Sequence, residues 1–152
     1  MEMSVRADSP QIAAQNSISP ISSHNEWDPL EEIIVGRLEG SVIPSSHAVV
    51  TCNIPGMAAW GQAITAGFRY PQLMLAPAQR ELDGFVTLLE SLGITVTRPD
   101  PINHKKKFST PDWSSRGFCN TCPRDSMLII GDEIIETPMA WPCRYFETHS
   151  YR

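Results

Sequence analysis

Prolines and glycines interrupt this chain more often than a helical bundle tolerates. Thirteen prolines and nine glycines are spread over 152 residues. Proline breaks helix interiors and glycine favours turns, so this frequency predicts short strands and helices joined by many turns. The length suits one modest domain. An α/β or α+β domain is therefore expected.

Four segments have the patterns of regular structure. Residues 30–35 form an Ile- and Val-rich strand that stops at a glycine, and a helix is predicted from Pro77 to the residue before Gly93. The β-branched run 94–97 follows at once as a strand, and residues 127–136 form a hairpin around a two-residue Gly-Asp link. Apolar residues recur along the helix at the spacing of one face, which predicts packing on a sheet: Leu82, Phe85, Val86, Leu89 and Leu92.

The remaining segments have no sustained period. Residues 38–77 are expected to be a long irregular excursion, since prolines, glycines and serines recur there, and residues 99–123 a loop. Residues 1–24 are rich in serine and are expected to be a disordered lead-in, which leaves residues 25–152 as the structured domain.

Charge and hydropathy exclude two classes of partner. The net charge of -5 argues against nucleic acid, and the basic run 105–107 is expected to be a solvated loop face. No apolar run is long enough to span a membrane. Because neither a secretory signal nor an Arg-rich transit peptide is recognisable, a cytoplasmic protein with reduced thiols is expected.

Asp125 is the one candidate substrate-binding residue. It follows a proline-stiffened turn just before the hairpin, and a fixed carboxylate can accept two parallel N–H groups of a guanidinium. An ordinary structural role is the alternative, in which Asp125 pairs with Arg124 or caps a turn.

The cysteines suggest two further kinds of site, and both are disfavoured. Cys119, Cys122, Cys143 and His149 roughly resemble a zinc ligand set, but a strong hairpin fills the gap between the two halves. A redox role for the C-x-x-C pair is disfavoured because no helix is expected to follow it, so buried, unreactive thiols are expected. No metal site and no cofactor are predicted, and no phosphate-binding glycine motif is present.

Seven strings, in order and spacing, resemble the amino-terminal part of the amidinotransferases, the family of glycine amidinotransferase and inosamine-phosphate amidinotransferase. They are NEWDPLEEIIVGR (25–37), GITV with RPDP (93–96 and 98–101), TPD (110–112), PRD (123–125), GDEIIE (131–136), PMAW (138–141) and RYFE (144–147).

The resemblance implies an α/β fold that is part of a five-bladed α/β propeller, the pentein fold, built from ββαβ modules. It implies that Asp125 contacts the guanidinium of L-arginine and that a cysteine forms a covalent amidino intermediate before an amine accepts the group. In the family pattern this cysteine and its histidine lie beyond residue 152, so an amino-terminal portion that is inactive alone is expected. No catalytic residue is assigned within it.

The resemblance implies small-molecule substrates: L-arginine, with glycine or another amine as acceptor, giving ornithine and a guanidino compound such as guanidinoacetate, in toxin or antibiotic biosynthesis for example. It also allows a homodimer for the full-length enzyme. An arginine deiminase-like guanidine hydrolase and a non-enzymatic guanidine-binding module remain alternatives.

Overall fold

The computed structural model describes residues 21–52 and 54–152, and residues 1–20, most of the expected lead-in, lie outside it. The helices are α1 (Ala48–Thr51), α2 (Gly56–Thr65), α3 (Gln72–Ser91) and α4 (Pro123–Ser126). The strands are β1 (Glu32–Ile34), β2 (Thr95–Thr97), β3 (Phe108–Ser109), β4 (Ser114–Ser115), β5 (Met127–Ile130) and β6 (Glu133–Glu136). Two 3₁₀ turns, Pro142–Arg144 and Glu147–Ser150, follow the last strand.

The strands of the described residues form three separate two-stranded sheets. β1 and β2 are parallel, with Ile33 opposite Val96, and the chain between them includes α3. β3 pairs with β4 and β5 with β6, both antiparallel. The result is a mixed α/β arrangement, which is consistent with the expected fold class.

The predicted helix is confirmed, but it begins earlier than expected. It starts after Pro71 rather than at Pro77, so Pro77 lies inside the helix, where its missing N–H leaves one helical hydrogen bond unmade. Gly93 follows the helix with a φ of 82°, the left-handed conformation that glycine adopts without strain.

The apolar stripe of α3 is only partly covered. Leu89 is buried and Leu82 and Val86 are half-buried, whereas Phe85 and Leu92 are 47% and 68% exposed. The expectation that the whole stripe packs on a sheet is therefore corrected. The reason is geometric, because β1 and β2 are three residues long and cover little of a twenty-residue helix.

The expected irregular excursion over residues 38–77 is wrong in part. It contains α1, the ten-residue α2 and the first turn of α3. α2 begins directly after Pro55, and no residue of it is buried. Met57, Trp60 and Ile64 recur at the spacing of one helix face, so a helical signal was present, but the prolines and glycines around it favoured an irregular segment. The expected 99–123 loop likewise contains β3 and β4.

The hairpin is confirmed at the predicted residues. β5 and β6 pair with Ile129 opposite Ile134, and Gly131 in the link has a φ of 61°. Ser23 exchanges backbone hydrogen bonds of 2.8 Å and 2.7 Å with Gly131, so the end of the expected lead-in rests on the hairpin turn.

The described core is small. Its buried apolar side chains are Val35, Val42, Val50, Leu89, Cys119, Met127 and Cys143. The basic run 105–107 lies on an exposed loop, as expected. Within residues 21–52 and 54–152, the helices are too short or too polar for a membrane crossing.

Candidate functional site

Asp125 lies in α4, a single helical turn immediately before β5. Pro123 occupies the start of this turn, where its missing N–H is not needed, and the Ser126 hydroxyl donates to the Pro123 carbonyl at 3.1 Å. From the far end of the hairpin, the Thr137 hydroxyl donates to the backbone carbonyl of Asp125 at 2.9 Å. The hairpin therefore fixes the backbone that carries the carboxylate.

The side chain of Asp125 bonds to an arginine nineteen residues along the chain. Its Oδ2 accepts a hydrogen bond of 2.9 Å from Nη1 of Arg144, at the end of the first 3₁₀ turn. The alternative partner considered from the sequence was Arg124, its neighbour. Among the described residues, Arg144 is the side chain that forms an ion pair with Asp125.

Arg144 is also held by a second carboxylate, Glu147. Arg144 Nε donates to Oε1 and Oε2 of Glu147 at 2.8 Å and 2.9 Å, and Nη2 donates to Oε2 at 2.7 Å. This is the side-on, two-nitrogen geometry in which a planar guanidinium binds a carboxylate most specifically. Asp125, Arg144 and Glu147 are called the acidic triad below.

The three side chains of the acidic triad differ in exposure. The side chain of Glu147 is 2% exposed, that of Arg144 is 12% and that of Asp125 is 43%. Two carboxylates against one guanidinium leave one formal negative charge in excess. Because Asp125 is the exposed carboxylate, that excess charge is accessible there.

The charge state of the triad follows from its contacts. Burial alone would lower the pKa of the Arg144 guanidinium, but hydrogen bonds to Glu147 and Asp125 outweigh burial and raise that pKa. Burial raises the pKa of Glu147, and the hydrogen bonds from Arg144 oppose that rise. The short contacts between both Glu147 oxygens and a permanently charged group identify Glu147 as a carboxylate.

Sequence reasoning proposed Asp125 as a candidate, which stays a prediction, and named neither of the two side chains that join it. Arg144 and Glu147 belong to one of the strings that carry the family resemblance, but no role was inferred for them. A signal was present, because an arginine and a glutamate three residues apart can meet on one helical turn.

The cysteines are free thiols in different environments. Cys119 and Cys143 are buried, whereas Cys52 and Cys122 are exposed, so the expectation of buried thiols is wrong for these two. Burial raises the pKa of Cys119, and burial with the nearby Glu147 charge raises the pKa of Cys143 to about 12. The buried pair is therefore protonated at neutral pH and unsuited to nucleophilic attack.

The structure bears on both the zinc site and the redox site that the cysteines suggested. Across the part of the chain that is described, no three His, Cys, Asp or Glu side chains are grouped so that they could hold a metal ion. The expectation that no helix follows the C-x-x-C pair is wrong, since Cys122 directly precedes α4. That helix has four residues, and the Cys122 thiol contacts the Thr121 hydroxyl at 3.6 Å.

An open cavity of about 380 Å³ borders the acidic triad on the side of Glu147. His104, Cys143 and Phe146 line it as well. The His104 imidazole is almost fully buried, and burial lowers its pKa. A neutral imidazole is therefore expected beside the cavity at neutral pH.

Comparison with known proteins gives a consistent result, although no protein-family model matches the chain. An L-arginine:L-lysine amidinotransferase of Pseudomonas savastanoi pv. phaseolicola is 43% identical over 134 residues, which cover 88% of this chain and 37% of that protein. The mitochondrial glycine amidinotransferase of Gallus gallus is 42% identical over 134 residues, covering 88% of this chain and 32% of that protein.

Solved structures agree with these matches. An amidinotransferase of the saxitoxin biosynthetic pathway from Microseira wollei superimposes with a TM-score of 0.76 at 45% identity, covering 88% of this chain and 37% of that one. Inosamine-phosphate amidinotransferase from Streptomyces griseus superimposes with a TM-score of 0.77 at 39% identity, covering 88% and 38%. The resemblance inferred from the sequence is confirmed. The chain spans about a third of the length of the curated relatives it matches. Over 88% of its own length, it is homologous to the amidinotransferases.

Proposed function

We propose that residues 25–152 are part of an amidinotransferase that moves the amidino group of L-arginine to an amine, with glycine as the first candidate acceptor. The proposal extends the homology to a specific reaction. The observation that carries it is the acidic triad, in which an exposed carboxylate retains an uncompensated negative charge within a region homologous to amidinotransferases.

In this proposal Asp125 binds the guanidinium of the substrate. A carboxylate that accepts hydrogen bonds from a guanidinium keeps it protonated, and the positive charge makes the central carbon a better target for a nucleophile. The exposure of Asp125 leaves room for this second partner, and its contact with Arg144 uses Oδ2.

The proposed chemistry is a two-step exchange through a cysteine. The thiolate sulfur attacks the guanidinium carbon, and the bond from that carbon to Nε of the substrate arginine breaks. This nitrogen takes up a proton and leaves as the side-chain amine of ornithine. The acceptor amine then attacks the amidino-cysteine carbon, loses a proton and releases the thiolate, which yields guanidinoacetate when the acceptor is glycine.

The reactive cysteine of this scheme is not assigned to the described residues. The Cys119 thiol contacts the Thr121 hydroxyl at 3.3 Å rather than an imidazole, and the pKa of Cys143 is raised to about 12. We propose, as the family pattern suggests, that the nucleophile and its histidine are supplied by the amidinotransferase region that this chain does not span.

The proposed architecture is part of a five-bladed propeller of ββαβ modules. The parallel β1–β2 pair with α3, followed by the β5–β6 hairpin, supplies strands and a helix in an order compatible with such modules. Its support is the similarity in fold to two amidinotransferase structures.

The test is to incubate the full-length protein with L-arginine labelled at the amidino carbon, in parallel with glycine, with L-lysine and without any amine. Ornithine release with label in a new guanidino compound, dependent on the added amine, is expected. Amine-independent formation of citrulline would show a guanidine hydrolase instead. Binding of arginine without turnover under all three conditions would show a guanidine-binding module.

A further inference from the structure

We propose that Arg144, anchored by Glu147, is a positioning residue that fixes the carboxylate of Asp125 for the substrate guanidinium. The inference rests on the proposed function, because it assumes that Asp125 binds arginine. Glu147 is buried, and in this inference it affects arginine binding through Arg144 and Asp125.

The geometry of the guanidinium supports this role. A planar guanidinium presents its N–H groups in fixed directions, so the bonds on one side determine where the other side points. Nε and Nη2 of Arg144 are both occupied by Glu147, and Nη1 is left to hold Oδ2 of Asp125. Glu147 therefore orients the nitrogen that orients Asp125.

The anchor itself is buried and hydrogen-bonded. The Glu147 side chain is 2% exposed, and its backbone carbonyl accepts a hydrogen bond of 2.8 Å from the hydroxyl of Ser150 within the same 3₁₀ turn. Arg144 Nη2 also lies 3.5 Å from the backbone carbonyl of Cys122, the residue before α4. Arg144 thus links the 3₁₀ turns to the helix that carries Asp125.

The balance of charge distinguishes positioning from simple neutralisation. If Arg144 paired with Asp125 alone, the pair would be neutral and would attract a cation weakly. With Glu147 present, the positive charge of Arg144 is shared and the triad stays negative. Glu147 is thus required for Asp125 both to be held in place and to remain attractive to a guanidinium.

A double-mutant cycle tests the coupling. In the full-length protein, Glu147→Gln, Asp125→Asn and the double variant are compared by kcat and KM for L-arginine and by KM for the amine acceptor. Glu147→Gln is expected to raise the KM for arginine about tenfold and to leave the acceptor KM nearly unchanged. In the Asp125→Asn background the same change is expected to have about twofold effect or less, because Glu147 acts through Asp125.

The chain offers a matched control in Glu136. It accepts two hydrogen bonds of 2.8 Å from Arg152 in the same two-nitrogen geometry, and this ion pair is exposed and does not include Asp125. Glu136→Gln should leave the KM for arginine within about twofold of wild type. An equal rise in KM in Glu136→Gln and Glu147→Gln would show a general effect of losing an ion pair and would overturn the proposal.

A second variant covers the case in which Glu147→Gln does not fold. Removing one partner of a buried ion pair is strongly destabilising, whereas replacing both by apolar groups often preserves the fold. In Arg144→Met with Glu147→Leu, the unfolding temperature is expected to stay near wild type while the KM for arginine rises about tenfold. A stable variant with wild-type arginine KM would show that the pair is only structural.

The outcomes separate this inference from the proposed function. If Asp125→Asn itself leaves the KM for arginine unchanged, Asp125 is not the guanidinium-binding residue and the proposed function loses its basis. If Asp125→Asn raises the KM but Glu147→Gln does not, or if their effects simply add, Asp125 retains its role and only the positioning by Arg144 and Glu147 is overturned.

Discussion

The two carboxylates of the acidic triad are chemically alike, and their surroundings separate their roles. Glu147 is enclosed and accepts three hydrogen bonds from Arg144, whereas Asp125 accepts one and remains 43% exposed. The carboxylate of Asp125 is therefore far more open to a ligand than that of Glu147, whose side chain is 2% exposed. Exposure, rather than residue type, therefore identifies Asp125 as the group that would meet a substrate.

His104 provides a prediction about pH and stability. Burial lowers its pKa below the ordinary value of 6.5, so the unfolded chain takes up a proton at a higher pH than the folded one. Its contribution to stability is complete above about pH 6.5 and is lost as the pH falls towards the folded-state pKa. The unfolding temperature of wild type should therefore fall more between about pH 7.5 and about pH 5.5 than that of His104→Gln.

The measurement is differential scanning calorimetry of the full-length wild type and the full-length variant at each pH. His24→Gln is the control, because His24 lies in an exposed position beside the hairpin turn. Parallel pH profiles for wild type and His104→Gln would show that His104 does not carry the effect.

At the level of single residues, the sequence offers Asp125 as a candidate but does not give its surroundings. Asp125 was proposed from its place after a proline turn and, above all, from the PRD string of the family resemblance, and its role stays a prediction. Its contact with Arg144 spans nineteen residues and depends on how the hairpin and the 3₁₀ turns pack, which no local pattern encodes. The exposure of Cys122 was missed for the same reason, since burial is a property of the packed chain.

The elements are constrained most tightly where β1 ends. A Cβ added at Gly36 would collide with the backbone of Thr121, and the backbone carbonyl of Asn120 lies 2.5 Å from it. Backbone atoms cannot move aside as a side chain can. Gly36 is therefore required by the close approach of two chain segments, which the 2.6 Å hydrogen bond from Arg37 N to the Asn120 carbonyl joins.

Substitution of Gly36 is expected to be costly. Gly36→Ala should lower the free energy of unfolding by about 2 kcal/mol or more, since overpacking against backbone forces the segments apart. The control is Gly84→Ala in α3, where an added Cβ meets nothing within 4 Å. That change should raise the free energy of unfolding by about 1 kcal/mol, because alanine favours a helix.

Chemical denaturation of the full-length variants measures both effects. The close approach at Gly36 would be contradicted if Gly36→Ala were as stable as wild type, or if both glycine variants shifted stability in the same direction.

At the level of elements, the sequence could predict those with a strong local signal. The β5–β6 hairpin was predictable because Gly131 permits a two-residue link and isoleucines flank it on both sides. α2 was missed because the prolines and glycines around it favoured an irregular segment, although Met57, Trp60 and Ile64 lie at helical spacing. The start of α3 was misplaced because Pro71 and Pro77 both suit a helix start, and the chain uses the first.

At the scale of the whole molecule, the residues that the structure describes expose much apolar surface. In the β5–β6 hairpin the exposed fraction is 39% to 56% for Leu128, Ile129, Ile130, Ile134 and Ile135. Leu73 in α3 and Leu92 directly after it are 88% and 68% exposed. Sheet and helix faces of this kind require a covering surface, so we propose that the amidinotransferase region not spanned by this chain supplies it.

This exposure predicts how residues 1–152 behave when produced alone. They should bind the dye ANS strongly, aggregate on concentration and unfold without a cooperative transition, because few apolar groups are withdrawn from water. They should also release no ornithine from arginine. The measurements are ANS fluorescence, calorimetry and an ornithine assay with and without glycine; a sharp transition with glycine-dependent ornithine release would contradict the prediction.

At the scale of the whole molecule, the sequence could predict the family but not how the sheets are arranged. Seven separated strings were enough for the amidinotransferase resemblance, which the matched relatives confirm. Three two-stranded sheets that do not join within the described residues could not be predicted, because local patterns specify strands and not the order in which separate sheets assemble.

The most direct test of Asp125 as the guanidinium-binding group is the kcat/KM for L-arginine of the full-length Asp125→Asn variant. Asparagine keeps the shape but presents an amide to a cation, so kcat/KM should fall at least about thirtyfold, the lower end of the effect of losing a charged hydrogen-bonding partner. Glu136→Gln should stay within about twofold of wild type. A folded Asp125→Asn enzyme with near-wild-type kcat/KM would show that Asp125 does not bind the substrate guanidinium.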